Sequence, residues 1–114
     1  MSNTSDFITR GGEFIVKETP CDAVFTPEDF SEEQKMMRDA VKEFNDREII
    51  PHRPRFESKD FDLTRDVMRK AGELGFLGVS VPEVYGGMGM GFVSTMLVCD
   101  YISSGTGSFS TAFG

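Results

Sequence analysis

An all-α, up-and-down helical bundle of three full helices and the beginning of a fourth is the fold this sequence predicts. Apolar residues return at helical spacing in three successive stretches, and cap and stop residues bound each of them. The composition supports a packed core: 39% of the 114 residues are hydrophobic, with eleven Phe and seven Met. A chain of this length buries roughly 60–70% of the surface its unfolded form exposes.

Residues 1–25 read as a lead segment, extended or loose. Gly11-Gly12 interrupts it, Phe14-Ile15-Val16 suits an extended run, and Pro20 stops it again. Phe14 and Val16 are its candidate anchors. Residues 26–114 are assigned to the helical domain. Its first helix opens on two overlapping start motifs, Thr26-Pro27-Glu28-Asp29 and the capping box Ser31-Glu32-Glu33-Gln34. Met37, Ala40, Val41 and Phe44 form the apolar stripe, and Ile49 and Ile50 precede the stop at Pro51. Residues 51–61 form a connector or a short helical turn. The second helix spans about Asp62 to Leu74, with Leu63, Val67, Met68, Ala71 and Leu74 facing inward. Gly75 suits a left-handed cap. Gly72 costs about 1 kcal/mol against Ala in a helix interior, so close approach of a neighbouring helix is expected there. The third helix, Phe92 to Ser103, is apolar on nearly every side, which predicts a central, buried position and a partner surface beyond this chain. Ser103-Ser104-Gly105-Thr106-Gly107 breaks it, and a fourth helix starts near Ser108.

Charge narrows the function classes. Nineteen Asp plus Glu against twelve Lys plus Arg give a net charge of −7. Nucleic acid and anionic membrane surfaces both demand clustered basic residues and are disfavoured. Two cysteines, Cys21 and Cys99, and a single histidine, His52, leave no zinc motif. This cysteine usage fits a reducing compartment. With no signal peptide, no transit peptide and no run of about 20 apolar residues, a cytoplasmic location is expected.

Several features invite sharper readings. Gly86-Gly87-Met88-Gly89-Met90-Gly91 lacks the Gly-x-Gly-x-x-Gly spacing and any attached Gly-Lys-Ser/Thr, so it reads as a structural turn using positive φ angles. Tyr85 is expected to pack beside that turn. His52 lies in a charged connector and reads as a solvated surface residue. Most methionines sit at core spacing, with Met88 and Met90 left as candidate contacts to another domain. The acidic group Glu28-Asp29 and Glu32-Glu33 lacks calcium-loop spacing and reads as a solvated helix start.

Three motifs in order carry a resemblance. The first is Ser31-Glu32-Glu33-Gln34 with Phe44 and Glu48-Ile49-Ile50-Pro51. The second is Leu74-Gly75-Phe76-Leu77-Gly78. The third is Val81-Pro82-Glu83-Val84-Tyr85-Gly86-Gly87-Met88-Gly89. Over about residues 27–114 the chain resembles the N-terminal helical domain of the acyl-CoA dehydrogenases. The resemblance implies a full-length FAD enzyme that removes two hydrogens from Cα and Cβ of an acyl-CoA thioester. It also implies an electron-transfer acceptor and a homo-oligomer. In that family the flavin contacts come mostly from a middle β-domain and the catalytic base from a C-terminal helical domain. No catalytic, cofactor-binding or metal residue is therefore assigned in this chain, which alone is expected to be inactive and to hold no flavin. The resemblance assigns a wall of the acyl pocket, with Phe109 and Phe113 at its floor and Ser110 between them. Two rings there imply short, branched or aromatic acyl groups; the alternative is that both rings pack the core. A free-standing helical module for acyl chains or another protein is the competing class. A flavin oxidase or monooxygenase on the same scaffold is a third.

Overall fold

The computed structural model describes residues 9–114; residues 1–8, the start of the lead segment, lie outside them. The chain divides into two compact units, residues 1–31 and residues 32–114. Every regular element among the described residues is helical, and no helix there is long and apolar enough to cross a membrane.

Single turns build the first unit. α1 (Glu13–Val16) is a helical turn where an extended run was expected. Glu13 explains the difference: its carboxylate accepts the Arg10 amide at 3.4 Å and the Lys17 ammonium at 2.7 Å. The Lys17 pairing spans one helical turn and offsets the extended preference of Ile15 and Val16. Phe14 and Val16, the candidate anchors, are 49% and 81% exposed. Pro27–Asp29 forms a separate 3-10 turn, closed by Asp29 accepting the Thr26 amide at 2.9 Å. The Thr26 motif thus starts this turn, and the long helix begins later.

In the second unit, α2 (Glu32–Phe44) buries Met37, Val41 and Phe44. Ala40, expected on that stripe, sits at its exposed edge. The helix passes into a π turn, Asn45–Ile49, that the sequence did not predict. A π turn holds one more residue than an α turn, and here Phe44, Asn45 and Ile49 are all buried. A 3-10 turn, Ile50–His52, and α3 (Arg53–Glu57) form the connector, with Phe56 buried and His52 half-buried. α4 (Phe61–Glu73) is capped by Asp60, whose Oδ1 accepts the Leu63 amide at 3.1 Å. Val67 and Ala71 are buried and Leu63 and Met68 pack against the core. Leu74 departs from the predicted stripe at 49% exposure, because the helix ends there and Gly75 turns the chain at φ 86°. A Cβ on Gly72 would meet Leu77 Cδ1 at 3.2 Å. Its close neighbour is therefore a side chain from the next turn, where a neighbouring helix was expected.

α5 (Phe92–Gly105) buries Ser94, Leu97, Val98 and Ile102. Its other side is open: Phe92 is 74% exposed and Met96 43%, so within this unit only one face is covered. α6 (Gly107–Phe113) completes the unit. Asn45 donates to Ser104 Oγ at 3.3 Å, which brings the C-terminal ends of α2 and α5 together and sets them in the same sense. Lys70 of α4 reaches Glu48 at 3.0 Å, while Leu74 shares a groove with Met36, Met37 and Ala40 near the start of α2. α4 therefore runs against α2, giving the up-and-down order. Edge-on Phe44–Phe76 and tilted Phe56–Phe109 pairs, at 5.5 and 5.4 Å, join these elements in the core. Each such side chain contributes about 1.5–3 kcal/mol through burial.

Candidate functional site

Two concave regions of the second unit merit a site reading. The first is the elbow between α5 and α6. Thr106 is extended (φ −158°, ψ 139°), so α5 cannot continue through it, and its hydroxyl caps α6 by accepting the Ser108 amide at 3.3 Å. α6 folds back on α5 and leaves a cleft of about 290 Å³ lined by Cys99, Ile102, Ser103, Ser110, Thr111 and Phe113. That lies at the low end of ligand pockets, which run roughly 300–1,000 Å³.

The cleft's hydroxyls are spent on their own helices. Ser103 donates to the Cys99 carbonyl at 2.7 Å, Thr111 to Gly107 at 2.8 Å and Ser110 to Gly107 at 3.2 Å. No carboxylate, amine or imidazole lines it. The arrangement can hold an apolar group, and its polar side chains are three hydroxyls and the Cys99 thiol. Of the three residues assigned from sequence, Ser110 and Phe113 line this cleft. Phe109 does not: it is fully buried, with its ring 5.4 Å from Phe56 and 6.2 Å from Phe113, backing the wall from the core side.

The second is a groove of about 400 Å³ edged by Met36, Met37, Ala40, Leu74, Phe76, Met88 and Met90. Met36 is 72% exposed, so the predicted core role of the methionines holds for Met37 and fails for Met36. Met88 folds over Gly75, where a Cβ would lie 2.8 Å from its methyl carbon.

The Gly-rich turn leading to α5 is not a phosphate cradle. Such a cradle needs backbone amides free to point at an anion. Here the amides of Gly87, Met88, Gly89 and Met90 donate to the carbonyls of Pro82, Gly78, Val81 and Val79, at 3.3, 2.9, 2.8 and 2.8 Å. Gly87 has no space for a side chain, since a Cβ would lie 2.1 Å from the Val81 carbonyl oxygen, while Gly86 and Gly89 adopt positive φ. The turn is filled by its own backbone and does not fit the pyrophosphate of a dinucleotide. Tyr85, expected to pack beside it, is 80% exposed because the 3-10 turn Glu83–Tyr85 directs it outward.

The profile described as "Acyl-CoA dehydrogenase, N-terminal domain" matches residues 31–114. The chain belongs to the acyl-CoA dehydrogenase family. A probable acyl-CoA dehydrogenase of Bacillus subtilis (strain 168) is 35% identical over 114 residues, covering all of this chain and 19% of that protein. The mitochondrial isovaleryl-CoA dehydrogenase of Bos taurus is 34% identical over 85 residues, 74% of this chain and 20% of its own length. The crystal structure of an acyl-CoA dehydrogenase complexed with FAD from Bacillus anthracis superposes with a TM-score of 0.81 at 42% identity. That match covers 93% of this chain and 18% of that one. The chain thus spans about a fifth of the length of these acyl-CoA dehydrogenases. The match by fold and sequence agrees with the all-α domain expected from the three motifs.

Proposed function

We propose that this chain is the N-terminal helical domain of an FAD-dependent acyl-CoA dehydrogenase and that its α5–α6 cleft supplies part of the acyl-pocket wall. One observation supports the reading: the cleft is small, lined by Ile102, Phe113, the Cys99 thiol and hydroxyls turned back on their helices, with no carboxylate, amine or imidazole side chain. A surface of that kind recognises a hydrocarbon tail by exclusion of water and by shape. Phe113 closes the cleft on one side and Ser110 borders it, while Phe109 supports both from the core. A ring at Phe113 shortens the space for a tail, which favours short, branched or aromatic acyl groups.

FAD in the complete enzyme would accept the hydride removed from the acyl chain. The Gly-rich turn is filled by its own backbone, and the contribution proposed for this chain is to shape and dry the pocket. Alone it is expected to turn over no thioester and to hold no flavin. An electron-transfer acceptor and a homo-oligomeric assembly belong to the same proposal.

The test is to purify the complete gene product and add butyryl-CoA without oxygen. A bound yellow flavin that bleaches on addition is the expected result. A colourless protein that binds acyl chains or another protein without any redox change overturns the proposal in favour of a helical binding module.

A further inference from the structure

The elbow that shapes the cleft is held by side chains that take no part in lining it. Gly105 is buried, and a Cβ there would lie 2.2 Å from Asn45 Oδ1 and 2.7 Å from Ile49 Cγ2. The Gly105 hydrogen along that direction points at Asn45 Oδ1, a buried oxygen with no conventional hydrogen-bond partner among the described residues. The Asn45 side-chain nitrogen donates to Ser104 Oγ. Arg53, the first residue of α3, donates through Nε to the Gly105 carbonyl and through Nη2 to the Ser104 carbonyl at 3.0 Å. These carbonyls lie at the end of α5, where no later amide of the helix reaches them and the helix dipole favours a cation. One turn further along α3, Glu57 accepts the Thr106 hydroxyl at the start of α6. A single short helix therefore grips both arms of the elbow. Its cation holds the carbonyl end of α5 and its carboxylate holds the amino end of α6.

We propose that Arg53, Glu57 and Asn45 form a clamp that fixes the α5–α6 angle and so sets how far Phe113 closes the cleft. This makes Arg53 a positioning residue for acyl-length selectivity, an inference that rests on the dehydrogenase reading above. Release of either arm lets α6 tilt away, the Phe113 ring retreats, and longer tails gain room. The π turn finds its role here, since it places Asn45 and Ile49 against the Gly105 backbone.

The experiment compares wild type, Arg53→Met, Arg53→Lys and Glu57→Ala in the complete flavoprotein. It reads hydrogen exchange at the α6 amides and the ratio of kcat/KM for butyryl- over palmitoyl-CoA. Arg53→Met should speed exchange at Ser110 to Phe113 about tenfold. It should also lower the ratio about tenfold, the scale at which a pocket resolves a small change in shape. Arg53→Lys keeps a donor and should recover part of both effects; Glu57→Ala, on the exposed side of α3, should move both in the same direction as Arg53→Met. Faster exchange with an unmoved ratio overturns the positioning role. Unchanged exchange in both Arg53→Met and Glu57→Ala overturns the clamp. A wild type that turns over no acyl thioester overturns the dehydrogenase reading and the selectivity role with it, while exchange alone then decides whether the elbow is held.

Discussion

Gly105 and Gly107 lie two residues apart and obey opposite constraints. A Cβ on Gly105 would collide with Asn45 and Ile49, whereas nothing stands within 4 Å of one on Gly107. Gly105→Ala should therefore destabilise the protein by about 1–3 kcal/mol, the usual range for overpacking. Gly107→Ala should change stability by less than about 0.5 kcal/mol. Urea unfolding of the two variants beside wild type checks both. Equal midpoints would contradict the close approach of the π turn to α5. At this scale the sequence was only partly informative. Phe109 and Phe113, four apart, were expected together at the pocket floor; their rings lie 6.2 Å apart, and only Phe113 lines the cleft. Their depth was not legible, because the rotation of α6 depends on Phe56, which lies more than fifty positions away in the chain. Asn45 gave no sign of being buried, since a polar residue late in an amphipathic helix ordinarily faces water.

Among elements, Gly75 and the Ser31 capping box were legible in the sequence, whereas the caps at Asp60 and Thr106 were not. Asp60 and Gly75 bracket α4, and Thr106 starts α6. Two carboxylates that accept hydrogen bonds from helix starts, Asp60 at α4 and Glu57 at α6, give a pH dependence. The Leu63 amide, followed by the Arg55 guanidinium, holds the Asp60 carboxyl below its ordinary value of 3.8. The Thr106 and Ser108 hydroxyls hold Glu57 below 4.5. For groups whose folded pKa is depressed, the stabilisation is complete above the unfolded value and is lost as pH falls through the folded one. Stability should thus be level above about pH 5 and decline below pH 4. Asp60→Asn, which keeps an acceptor oxygen without the titration, should flatten part of that decline. Urea midpoints between pH 2 and pH 6 test it; parallel curves for wild type and variant would contradict the cap assignment. The π turn at Asn45–Ile49 left only one trace in the sequence, the five-residue spacing of Phe44 and Ile49, which share a face in a π turn and not in an α-helix. α1 escaped for a different reason: its apolar residues favour an extended run, and the Glu13–Lys17 pair across the turn was not weighed against them.

At the scale of the whole molecule, composition and periodicity gave the helical class, and motif order gave the family. The all-round apolar pattern of α5 led to the expectation of a central helix with a partner surface beyond this chain; within this unit one face is covered and Phe92 and Met96 are exposed. The candidate site was legible as a segment and not as a geometry. Residues 109–113 were indicated by resemblance, but the elbow angle depends on contacts from α2 and α3 that no local pattern encodes. The central claim is that Phe113 limits the length of the acyl tail. It is tested most directly by comparing turnover of butyryl- and palmitoyl-CoA by the complete enzyme, before and after Phe113→Gly. The account predicts a wild type that prefers butyryl-CoA and a variant in which the preference for palmitoyl-CoA rises by at least about tenfold. A wild type that already prefers palmitoyl-CoA, or a variant with an unchanged ratio, would contradict it.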